Sequence, residues 1–196
     1  MPVPQFLAPL TSLPAPGPAT AALRAAPPGT GSLLGFDVEQ QQQSNWCWAA
    51  VSVSVAQYYR RQTPWTQCTV AGAELNRSDC CGGGAGTGCN VVWYLDRALT
   101  RVQSLRIRNA GSTPFADVQA EIAADRPLGC RIGWSTGGGH FVTIGGWMLA
   151  PDGTQYVDVF DPLYSYSQTT YQSFVSAYQG VGTWTHSYFT QPPPTV

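Results

Sequence analysis

A cysteine placed to ionise and a histidine placed to hold its proton are the residues of this chain that could together break an acyl bond. Cys47 stands in the run WCWAAVSVSVAQYY, at the expected start of a helix. There the unpaired backbone N–H groups and the helix macrodipole favour negative charge, so a thiol ionises more readily and becomes an attacking thiolate. A lone buried cysteine is more often inert packing, so Cys47 needs partners to carry chemistry. Trp46 and Trp48 beside it fit equally as core anchors or as cleft walls. The chain has two histidines. His140 follows Gly137-Gly138-Gly139 and opens the strand HFVTIGGW, a junction from which a ring projects into a cleft while the strand holds it. His186 lies within THSYF and reads as an ordinary sheet face, which leaves His140 as the expected base.

A third group must fix the imidazole tautomer and stabilise its charged form. In YVDVFDP, strand alternation puts Val157, Val159 and Asp161 on one face and Tyr156, Asp158 and Phe160 on the other. The valines mark their face as buried. Asp161 then emerges on the core side where Pro162 ends the ladder, and a carboxylate there wants a partner such as His140. Taken alone, Asp161-Pro162 reads equally as a turn. Stabilising an acyl oxyanion would need two donors. The Cys47 N–H is one, and an amide from the run Gln40-Gln41-Gln42-Gln43 is the other.

Positioning these groups calls for helices followed by strands. A buried helix is expected from Trp46, with Ser44 and Asn45 as N-caps, then helices over Val91–Leu99 and Pro114–Ala124. Strands follow at Leu128–Trp134, His140–Met148 and Gln155–Phe160, the last two joined by the turn Ala150-Pro151-Asp152-Gly153. A short helix near Tyr171–Tyr178 and a strand near Thr183–Phe189 complete an α+β domain with an antiparallel sheet. With 196 residues and 43% hydrophobic content, one domain is expected. Residues 1–34 read as a flexible Pro/Ala-rich leader, 35–190 as the domain and 191–196 as a disordered polar, Pro-rich tail. A net charge of −1 with no basic stripe argues against nucleic acid. No apolar run approaches the roughly 18 residues needed to span a bilayer, and the N-terminus lacks the pattern of a secretory signal.

Five further cysteines remain. Cys68, Cys80, Cys81 and Cys89 flank the Gly-rich stretch CCGGGAGTGC, which could barely pack without cross-links. Vicinal Cys80 and Cys81 are poor partners for each other, so each is expected to pair with Cys68 or Cys89, in a pairing that sequence leaves open. Zinc would compete for four cysteines, but no pair has the usual CxxC spacing. Two disulfides would imply passage through an oxidising space. Cys130, in a strand, reads as core.

The blocks QQQSNWCWAA, GGHFVTIGGW and VDVFDP, in this order, resemble the papain clan of cysteine proteases. They look most like the bacterial branch that includes a plant-pathogen avirulence protease. The resemblance spans about Phe36 to Phe189. It implies a two-lobed fold, with a helical lobe carrying Cys47 and a sheet lobe carrying His140 and Asp161. It also implies that Gln41, six residues before Cys47, is the oxyanion donor. The expected reaction is hydrolysis of peptide bonds in protein substrates through a thioester, without metal or organic cofactor. The same trio could equally deamidate or transglutaminate glutamine side chains, or survive on a non-catalytic binding module. The missing signal, the cysteine cluster and the resemblance together suggest a bacterial effector or toxin exported by a specialised route. It would act inside a target cell, and a cognate inhibitor or immunity protein would protect the producer.

Overall fold

The run that begins at Cys47 is helical and central. In this computed structural model, which describes residues 29–82 and 88–194, α1 spans Cys47–Tyr59, and every residue from Cys47 to Ala56 is buried. A helix apolar on all sides belongs in a core. The alternating valines would also suit a strand, but the intervening serines fit a helix because each returns its hydroxyl to the preceding turn. Ser52 Oγ bonds Ala49 O at 2.9 Å and Ser54 Oγ bonds Ala50 O at 2.8 Å. Two helices pack on α1: α2 (Gln67–Leu75) and α3 (Leu95–Arg101). Thr66 starts α2 through a capping box with Thr69.

The second layer is an antiparallel sheet. Its strands are β1 (Thr30–Ser32), β2 (Leu105–Ala110), β3 (Leu128–Trp134), β4 (Gly139–Leu149), β5 (Gln155–Asp161), β6 (Ser165–Thr170) and β7 (Gly182–Thr190). They run in the order β2-β7-β3-β4-β5-β6. The eleven-residue β4 is long enough to pair with β3 over its first half and with β1 over Gly146–Met148, while β5 occupies its other edge. Helices α4 (Phe115–Ala123) and α5 (Tyr171–Ala177) pack on this sheet, and α1 packs on β4. The architecture is the expected α+β, two-lobed one. The site lies where the N-terminus of α1 meets the first residues of β4 and the last of β5. Among the described residues no helix is long and apolar enough to cross a membrane.

Several local expectations need correction. The sheet takes in Thr30–Ser32, which composition assigned to the leader. Gly31 makes this pairing possible, because a Cβ there would lie 2.4 Å from the indole nitrogen of Trp147. Leu33 follows and is buried, so the fold begins before residue 35, and residues 1–28 lie outside the described part. At the other end, the Gln191 N–H bonds Ser104 O at 3.0 Å and Pro194 O accepts from Arg60. Residues 191–194 are thus laid against the domain rather than disordered. The helix expected over Val91–Leu99 starts only at Leu95, because the Val91 carbonyl turns to the Trp48 indole instead of to a helical N–H. Helices do not all precede strands: β2, almost wholly exposed along an edge, falls between α3 and α4. Neither Ser44 nor Asn45 caps α1. Trp46 holds the N-cap position without a side-chain bond.

The four clustered cysteines form two disulfides, Cys68–Cys81 and Cys80–Cys89. Each vicinal cysteine takes a different outer partner, as expected. Cys130 is fully buried, and burial holds its thiol far above the ordinary range.

Candidate active site

Strand alternation delivers Asp161 as its residue type requires. Val157, Val159 and Asp161 are all buried, whereas Tyr156, Asp158 and Phe160 on the other face are only partly so. The Asp161 carboxylate is saturated with donors. Its Oδ1 lies 2.7 Å from His140 Nε2 and accepts the backbone N–H groups of Leu163 at 2.7 Å and Tyr164 at 3.0 Å. Its Oδ2 accepts the Tyr178 hydroxyl at 2.7 Å. Pro162 supplies the bend that brings those two N–H groups back onto the side chain, so the turn reading and the partner reading of Asp161 are both correct.

His140, 4% exposed, lies between Asp161 and Cys47. Nε2 is committed to Asp161, which leaves Nδ1 for the Cys47 thiol, and that thiol is within hydrogen-bonding reach of the ring. Burial alone would lower the imidazole pKa. The hydrogen bond to Asp161, the bond to Cys47 and the two negative charges outweigh it and raise the pKa above its ordinary 6.5. Asp161 shows the converse: burial opposes its charge, but His140, the Leu163 N–H and Tyr178 hold its pKa below 3.8. A charged imidazole between a carboxylate and a sulfur is the arrangement that stabilises a thiolate. The absence of a side-chain cap on α1 keeps its first-turn N–H groups from a competing acceptor at the position where the sulfur sits.

The loop ahead of Cys47 is held by residues that the sequence did not single out. Gln67, fully buried on α2, accepts the Gln42 N–H at 2.9 Å and donates to Gln40 O at 2.8 Å and to Glu39 at 2.9 Å. Asn90 accepts the Asn45 N–H, takes the Asn45 side-chain amide on its carbonyl, and donates to Ser44. The Trp46 indole bonds Cys89 O at 2.8 Å and that of Trp48 bonds Val91 O at 3.0 Å. Both tryptophans are almost fully buried, so they are core anchors and not cleft walls. A Gln and an Asn next to disulfide cysteines were the available signals, but neither has a spacing that marks it.

Gln41 stands in this loop. Its side-chain Nε2 donates to Gln43 O at 3.0 Å and Ser44 O at 2.8 Å, and its Oε1 is buried without a hydrogen-bond partner. The structure therefore brings Cys47, His140 and Asp161 together, and joins Gln41 to them through the backbone: the Gln41 N–H bonds Pro162 O at 2.9 Å. His186 stays apart on β7, opposite Arg131 and Ala110, where burial and the charges of Arg108 and Arg131 lower its pKa. Two rings border His140. Trp134 lies nearly parallel to it at 6.2 Å, and the half-exposed Tyr164 meets it edge-on at 6.2 Å.

The chain has counterparts among known proteins in family and fold. Residues 33–179 match the family described as the papain-like cysteine protease AvrRpt2. Among solved structures, the chain resembles the bromelain protease from Ananas comosus in complex with the E64 inhibitor. There the TM-score is 0.53 at 12% identity, covering 83% of this chain and 99% of that one. It also resembles the proform of the ragweed pollen cysteine protease Amb a 11, with a TM-score of 0.46, 13% identity, and coverage of 86% and 66% respectively. No curated protein matches it significantly.

Proposed function

The chain belongs to the papain-like cysteine proteases of the AvrRpt2 family, and from that premise we propose that it is an endopeptidase using Cys47, His140 and Asp161 on protein substrates. The observation that carries this reading is the buried hydrogen bond from His140 to Asp161 with Cys47 beside the imidazole at an uncapped helix N-terminus.

In the proposed reaction the Cys47 thiolate attacks the scissile carbonyl carbon, and the π electrons move onto oxygen. The Cys47 N–H and the Gln41 amide stabilise that oxyanion, each donor contributing about 3–4 kcal/mol to the transition state. Gln41 Nε2 has two hydrogens. Both are turned to the carbonyls of Gln43 and Ser44 in the structure, so one of these bonds gives way as the oxyanion forms. His140 gives its proton to the leaving nitrogen as the C–N bond breaks, and a thioester remains. Water then attacks the thioester, His140 takes a water proton, and the acid product leaves as the thiolate re-forms. Asp161 keeps the imidazole in one tautomer and stabilises its charge throughout.

The biological setting proposed is that of a secreted bacterial effector or toxin, delivered by a specialised route and restrained in its producer by a cognate inhibitor. The two disulfides support passage through an oxidising compartment. The proposed proteolytic domain is residues 35–190 together with the β1 segment ahead of it.

Mass spectrometry of lysate proteins treated with wild type or Cys47→Ala tests the activity. New protein N-termini only with the wild type are expected. Glutamine-to-glutamate conversions or isopeptide links without new termini would replace proteolysis with deamidation or transglutamination. Identical samples at a catalytic dose would overturn the reading.

A further inference from the structure

Tyr178 follows the last turn of α5, is 3% exposed, and points its hydroxyl at a carboxylate oxygen that nothing else is shown to hold. Its position is fixed from three sides. The backbone bonds Gly182 in both directions at 2.8 Å, Phe174 packs edge-on against the ring at 5.3 Å, and Trp134 lies nearly parallel to it at 6.5 Å. Gly182 is required for this closure: a Cβ there would sit 2.5 Å from Ile132 and 2.7 Å from Trp134. The same Trp134 lies nearly parallel to His140, so one indole braces both ends of the hydrogen-bonded line from Tyr178 to His140.

Resting on the triad proposed above, we propose that Tyr178 is a positioning residue that completes a relay Tyr178–Asp161–His140–Cys47. Its hydroxyl keeps the buried Asp161 charged and turned towards the imidazole. Asp161 Oδ1 has three donors, and Oδ2 has the phenol. Without that phenol, one oxygen of a buried carboxylate is left without a partner, and the ionised form is penalised. The titratable groups facing Asp161 are His140 from β4 and Tyr178 from beyond α5, with Cys47 of α1 behind His140. Ser167 of β6 lies within reach of the phenol. Burial and the Asp161 charge raise the Tyr178 pKa, so the phenol remains a donor throughout the working range.

The experiment follows carbamidomethylation of Cys47 by iodoacetamide against pH, read on the Cys47 peptide, which needs no substrate. The wild-type profile is the reference. Tyr178→Phe keeps the ring and removes the donor. Asp161 then protonates at higher pH, so the acid limb should move up by about one unit, a shift equivalent to losing roughly tenfold in the balance. With a cleavable substrate, kcat should fall about tenfold with KM little changed. Incorporating 3-fluorotyrosine at position 178, a stronger donor of nearly the same size, should move the limb the other way while keeping the fold. Superimposable limbs in all three proteins would overturn the role of Tyr178 and leave the triad intact. A wild-type profile that His140→Ala leaves unchanged would overturn both.

Discussion

The backbone N–H of Gln41 donates to the carbonyl of Pro162 at 2.9 Å, so the loop six residues before Cys47 touches the residue immediately after Asp161. The contact crosses between the lobes. It makes the position of the expected oxyanion donor depend on the same bend that turns the Asp161 carboxylate onto His140. A change at that bend reaches both the charge-stabilising and the proton-handling parts of the site.

Asp161 and Asp158 are separated by strand face rather than by distance along the chain. Asp158 accepts the Tyr166 hydroxyl and the Gln168 amide on the outer face. Asp161→Ala is expected to lower kcat/KM on the order of 10³–10⁴-fold, as when a catalytic imidazole loses its orienting carboxylate. Asp158→Ala should stay within a few-fold. Steady-state kinetics on a cleaved peptide checks this, and the reverse ranking would sink the assignment of Asp161.

Stability should report the same pair. The His140 pKa is raised above 6.5, so its contribution is complete below that value and is lost as pH climbs through the folded pKa. The Asp161 pKa is lowered below 3.8, so its contribution is complete above that value and is lost as pH falls through the folded pKa. The stability difference between wild type and Asp161→Asn should therefore peak between about 4 and 6.5. It should shrink on both sides in denaturant titrations. A difference that grew steadily into alkaline conditions would contradict the charged imidazole.

What the sequence reveals depends on whether the responsible force leaves a period in it. Val157, Val159 and Asp161 are legible because burying one sheet face imposes a spacing of two. β2 and β6 leave little trace: both are edge strands, largely exposed, so neither face selects apolar residues. The Thr30–Ser32 strand is hidden because it adds only three residues to a sheet that β4 already templates. Cys47 and His140 stand out by residue type beside helix and strand starts. Tyr178 and Gln67 do not, because their roles arise from long-range contacts, to Asp161 in one case and to the loop at Gln42 in the other.

Gln67 offers a test of how much that loop matters. Gln67→Leu keeps similar volume but removes the acceptor for the Gln42 N–H and the donor to the Gln40 carbonyl. Thermal or denaturant unfolding should show a loss of about 1–3 kcal/mol. The folded enzyme should also lose about tenfold or more in kcat, because residue 41 sits between those two anchors. Full activity in a variant of lowered stability would separate Gln67 from the oxyanion site and leave it a core residue only.

The two disulfides should differ in function more than in stability. Each closes a short loop, with sequence separations of 13 and 9, and removing either should cost about 2–4 kcal/mol. Their neighbours differ. Cys89 gives its carbonyl to the Trp46 indole and precedes Asn90, which ties down Ser44 and Asn45 directly ahead of the nucleophile. Cys68 follows Gln67 on α2, one step further from Cys47. Replacing Cys80 and Cys89 together by Ser should therefore lower kcat of the folded fraction several-fold and slow Cys47 alkylation at mildly acidic pH. The Cys68/Cys81 replacement should mainly lower the unfolding midpoint. Equal activity per folded molecule in the two variants would mean that the Asn90 bonds hold the Cys47 loop without help from the cross-link.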